Sequence, residues 1–128
     1  MERFRFLEWE VYRDAKEVVS MVMKLVHALP NEYRLGMGNQ IMRSAFSIVL
    51  NIAEGSGKGS DKDFNHFLNI SLGSLNETLA ALDIFRDNKM IADGKFREIK
   101  LKLESIANQL GGFKKRLIKG QKSQVISH

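Results

Sequence analysis

Nine basic side chains fall within residues 95–122: Lys95, Arg97, Lys100, Lys102, Lys114, Lys115, Arg116, Lys119 and Lys122. Two acids, Glu98 and Glu104, oppose them, which leaves the segment at +7, whereas residues 1–94 carry a net −2 (11 Lys and Arg against 13 Asp and Glu). Such a block attracts phosphate backbones. The candidate phosphate contacts are Lys100, Lys102, Lys114, Lys115, Arg116 and Lys119. Phe96 and Phe113 lie among them but fall on the segment's apolar seam, so the pattern supports phosphate contact with little base stacking. Binding of that kind is led by shape and weakens steeply with salt. The competing reading of the same charges is a solvated helix face followed by a basic tail.

Other candidate chemistry falls away on inspection. The run Gly55-Ser56-Gly57-Lys58-Gly59-Ser60 lacks the spacing of a nucleotide loop, because position 52 is Ile and Lys58 is followed by Gly59. It reads as a turn between two helices, although the helix start beyond it can accept a phosphate. His27, His66 and His128 are far apart, and no paired Glu-x-x-His signature is present, so neither metal nor cofactor is expected. Ser44 and Ser47 lie in a helix body with no histidine near them in sequence, and no catalytic residues are assigned. The sequons at Asn69 and Asn76 lie within a helix and are discounted. The chain has no cysteine, hence no disulfide or thiolate chemistry.

What remains is a polar stripe, Arg43, Ser47, Asn51 and Glu54, on a segment otherwise apolar from Ile41 to Ala53. Its steps of three and four gather it on one side of a helix. A helix apolar over most of its circumference needs partners on several sides, in the bundle core and on a neighbouring subunit. Arginine on such a helix is costly unless paired. Counting outward from the turn near residue 58 sets Arg43 level with Ser74 to Glu77. An Arg43–Glu77 ion pair, within or between subunits, is therefore expected, with a role in specifying packing.

Four helical segments position these residues. The first runs from about Leu7 to Ala28, with Leu7, Val11, Ala15, Val18, Val22, Leu25 and Leu29 at steps of four and three, and Pro30 ends it. The second starts between Arg34 and Gln40 and ends at Gly55. The third begins after Ser60, an N-cap candidate followed by Asp61 and Asp63. It carries one seam of Phe64, Leu68, Leu72, Leu75, Leu79 and Leu82, and a second, mostly small, of Phe67, Ser71, Ser74, Thr78 and Ala81. After a turn at 88–93 the fourth shows a heptad, Phe96, Ile99, Leu103, Ile106, Leu110, Phe113 and Leu117, with Gly111 and Gly112 expected to weaken or kink it. The prediction is an all-α, antiparallel up-down-up-down four-helix bundle over residues 1–120, with a flexible basic and polar tail at 121–128. A mass of 14.6 kDa, 44% hydrophobic residues and a mean hydropathy of −0.23 suit one soluble domain. No membrane span or signal peptide is read, and the cytoplasm is the expected location.

The residues also form an ordered series: Phe6-Leu7-Glu8-Trp9, Leu29-Pro30, Gln40-Ile41-x-Arg43-Ser44-Ala45, Ser47-Ile48-x-x-Asn51-Ile52-Ala53-Glu54-Gly55, and Phe64 through Glu77. Over about residues 4–118 the series resembles the four-helix-bundle family encoded in intervening sequences of bacterial 23S ribosomal RNA genes. Asn51-Ile52-Ala53-Glu54-Gly55 is its most specific motif. It is also similar to accessory proteins of diversity-generating retroelements. The resemblance implies a homo-oligomer, typically a barrel-like pentamer, with no established enzymatic activity. The retroelement relatives bind nucleic acid and a reverse transcriptase through a basic surface. Ser71 departs from the small apolar residues common at its position. Two functions follow as expectations: a non-enzymatic oligomer binding RNA or DNA, most plausibly structured RNA, or a protein–protein scaffold whose basic helix only keeps it soluble.

Overall fold

The protein is described from a computed structural model covering residues 3–126, with side chains described as far as Leu117. Four helices dominate: α1 (Glu10–His27), α2 (Asn39–Ser56), α3 (Asp61–Asp87) and α4 (Asp93–Ile126). No strand occurs among the described residues.

Leu7 does not begin α1. It lies in a 3₁₀ turn (Arg5–Glu8), because Trp9 adopts an extended backbone (φ −71°, ψ 135°) that separates turn from helix. Val11, Ala15, Val18, Val19 and Val22 then form the buried face of α1. At its far end Arg34 does what Pro30 cannot: its Nη2 donates to the carbonyls of His27 (3.0 Å) and Leu29 (3.1 Å). A helix C-terminus otherwise leaves such carbonyls open.

The entry to α2 is helical earlier than expected. A helical turn (Asn31–Tyr33) and a π turn (Arg34–Gly38) lead into it without a break. Gly38 is required there by space: a Cβ on it would lie 2.9 Å from Val26 Cγ1. The exit also differs, since α2 runs through Gly55 to Ser56. A Cβ at Gly55 would meet both Phe64 Cδ1 and Phe67 Cβ at 2.9 Å, so glycine lets the start of α3 close onto the end of α2. Gly55→Ala is therefore expected to lower stability by about 1–2 kcal/mol, the clash outweighing the gain in helix propensity. Thermal unfolding followed by circular dichroism measures it. Ser60 caps α3 as anticipated, its Oγ accepting from the Asp63 N–H at 3.1 Å.

Both seams of α3 turn inward, with Leu68, Leu75 and Leu82 buried on one and Ser71, Ser74 and Thr78 on the other. The α4 heptad is buried from Phe96 to Leu110 and half-buried at Phe113 and Leu117. The helix passes through Gly111 and Gly112 uninterrupted, and a Cβ on either would meet open space. The tail expected at 121–128 lies outside the residues whose side chains are described. Pairs between α2 and α3 run 44 with 78, 47 with 74 and 48 with 71, so one helix ascends as the other descends. Between α1 and α4, Asp14 meets Gln109 while Glu17 meets Lys102.

Candidate nucleic-acid interface

The six basic candidates of α4 do not form one patch. Lys100 and Lys114 are fourteen residues apart on a single helix, about 21 Å along its axis. Lys102 is not an open phosphate contact: its Nζ is bound to Glu17 and lies 4.0 Å from Asp14 Oδ1. The hydrogen bond to Glu17 raises its pKa above the ordinary lysine value, with partial burial opposing the shift. Gln109 adds a second tie, donating to Asp14 at 2.8 Å. These contacts join α4 to α1. Lys100, Lys115 and Arg116 are exposed and Lys114 is half-buried, while the side chain of Lys119 lies outside the described residues.

Lys114, Lys115 and Arg116 sit at the end of the bundle where Phe113 meets Trp9 (ring centroids 5.1 Å) and Phe64 (6.0 Å). The Arg116 guanidinium lies over the Phe113 ring at 4.7 Å. The same end brings in cations from elsewhere in the chain. Arg3, Arg5 and Lys58, with Phe4, Trp9 and Phe64, line a cavity of about 590 Å³. Lys58 is also held by Glu54 at 3.1 Å. Arg3, Phe4 and Arg5 carry no helical periodicity and no motif, which is why sequence reasoning passes over them.

The polar stripe divides. Glu77 accepts from Gln40 Nε2 at 2.7 Å, and Arg43 makes no ion pair among the described residues. The Arg43–Glu77 pair is therefore not formed within the chain, because Gln40, one turn earlier on α2, holds the carboxylate. Ser74 donates to Ser47 Oγ (2.8 Å), and Asn51 Nδ2 donates to the carbonyl (2.8 Å) and hydroxyl (2.9 Å) of Ser47. Ser71 donates to the Ile48 carbonyl (2.9 Å), and the Ser44 and Thr78 hydroxyls lie 2.8 Å apart. This uncharged ladder joins α2 to α3, which share the most extensive contact of any pair of helices among the described residues. Glu54 stands apart, committed to Lys58 on the surface. Outside the ladder α2 presents Met42, Arg43, Phe46 and Leu50 around a shallow concavity, with Phe46 48% and Leu50 53% exposed.

A family model described as 23S rRNA-intervening sequence protein matches residues 8–112. The chain belongs to that family. Among the solved structures the chain is similar to a protein of unknown function from the S23 ribosomal protein family of Bacteroides thetaiotaomicron. It is 30% identical, superposes with a TM-score of 0.76, and the match covers 82% of this chain and 98% of that one. Among curated proteins none matches. The Asn51–Gly55 stretch has visible duties here: Asn51 braces Ser47, Ile52 fills the core, and Gly55 admits Phe64 and Phe67. No described helix is long and apolar enough to cross a membrane.

Proposed function

We propose that this chain is a non-enzymatic, cytoplasmic homo-oligomer that binds structured RNA. The observation that carries the reading is the convergence of Lys114, Lys115 and Arg116 of α4 with Arg3 and Arg5 at one end of the bundle, where Lys58 is already paired with Glu54. Lys100 is too far along α4 to share that surface, and Lys102 serves the α1–α4 join. Self-assembly is assigned to the outer strip of α2, where Met42, Phe46 and Leu50 leave apolar surface uncovered in the single chain. The pentamer implied by the family resemblance would repeat the basic end around a ring and strengthen its field.

Titration of a labelled RNA hairpin by fluorescence anisotropy, at low and at moderate salt, tests this. Affinity is expected to fall steeply with salt. The combined change Lys114→Gln, Lys115→Gln and Arg116→Gln is expected to reduce the slope of log affinity against log salt by about 2, from roughly 0.7 per lost phosphate contact. Binding indifferent to both salt and the triple change overturns the reading.

A further inference from the structure

The cavity at the basic end has a composition of its own. Three cations, Arg3, Arg5 and Lys58, the last paired with Glu54, share its wall with the rings of Phe4, Trp9 and Phe64, and no acid is among the described residues that line it. Its volume of about 590 Å³ falls within the roughly 300–1,000 Å³ of small-molecule sites. Phe4 is 63% exposed although it borders the cavity. Its backbone is left-handed (φ 65°, ψ 26°), an uncommon conformation for a bulky side chain. The Leu7 N–H donates to the Phe4 carbonyl at 3.1 Å, which holds that turn in place. An aromatic ring is thus kept at the mouth of a cationic cavity at some conformational cost, the kind of outlier that points to a use.

We infer that this cavity is a binding site for a single nucleoside phosphate unit, its base against the Phe4 ring and its phosphate at Arg3 and Arg5. Flat aromatic faces accept any base, and guanidinium groups match phosphate oxygens in paired geometry. The inference rests on the RNA reading in one respect: the expected source of the unit is an unpaired nucleotide of a bound RNA, and a free nucleotide is the other source. It also goes beyond the family, because the family match covers residues 8–112, leaving Arg3, Phe4 and Arg5 outside it. The structure therefore adds a base-stacking element that the charge pattern of α4 does not contain.

Trp9 makes the site readable, since it is the one tryptophan of the chain and borders the cavity. Its fluorescence in the full-length protein is titrated with an oligoadenylate strand, a blunt RNA duplex, adenosine monophosphate, adenosine and vesicles of anionic phospholipid. The strand is expected to change Trp9 emission saturably and the duplex to leave it unaltered. Phe4→Ala, a change at an exposed side chain, is expected to weaken the strand by about tenfold or more. Arg3→Gln with Arg5→Gln is expected to remove the preference for adenosine monophosphate over adenosine. A Trp9 response to the monophosphate with no binding of any RNA upholds the site and overturns the RNA reading. RNA binding by anisotropy with Trp9 silent and Phe4→Ala unchanged overturns the site and leaves the RNA reading standing. A response to vesicles alone overturns the site.

Discussion

Ile52→Ala is expected to lower the unfolding free energy by about 2–5 kcal/mol, the range for truncating a fully buried branched side chain. Ile52 is completely buried, in the middle of the Asn51–Gly55 motif and in the same core as Ile48 of α2, Leu68 of α3 and the α4 heptad. Its removal leaves a cavity that the tightly packed α2–α3 pair cannot collapse around. Urea denaturation is the measurement, and a lower midpoint at unchanged slope is the expected form. Leu50, two residues away, gives the opposite phenotype. It is half-exposed on the outer strip, so Leu50→Asp is expected to keep the helical circular dichroism signal while light scattering reports a fall to the mass of one chain. If Leu50→Asp leaves the assembled mass intact, the outer strip is not the subunit contact.

Ser71→Leu is expected to be as damaging, by about 3 kcal/mol or more, for a steric reason. Ser71 has no exposed surface and its hydroxyl reaches the Ile48 carbonyl across the α2–α3 contact. A leucine there forces the two helices apart and breaks the neighbouring Ser74–Ser47 and Ser44–Thr78 contacts with them. Ser71→Ala keeps the space and loses one hydrogen bond, worth about 1 kcal/mol. Chemical denaturation of both variants separates room from bonding: near-equal losses would mean that helix separation is not the cause.

Periodicity carried the fold. The α4 heptad and the two seams of α3 are visible because a helix repeats its faces every three or four residues, and those positions are buried or half-buried. The small seam of α3 faces α2, where Ser71 and Ser74 reach Ile48 and Ser47. Pairing was less legible. Counting residues from a turn places Arg43 and Glu77 at about the same height, but height does not fix the angle around the helix, and Gln40 was nearer in angle. Charge counting likewise could not separate Lys102, beside the α4 seam and against α1, from the outward Lys100. The cavity was beyond sequence reasoning for a different reason. It is closed by a short non-periodic segment meeting a turn and the first turn of α3, a juxtaposition that only tertiary structure creates.

The π turn before α2 also sets angular phase. A helix advances about 100° per residue, and a π turn holds one residue beyond the regular repeat. That surplus aims Arg34 at the end of α1 while Ile41, Ala45 and Ile48 still face the core. Losing one residue from Arg34–Gly38 would twist the arginine away from its carbonyls or turn the core face outward. Chain length between Pro30 and Asn39 is therefore as constrained as the identities of Arg34 and Gly38 within it.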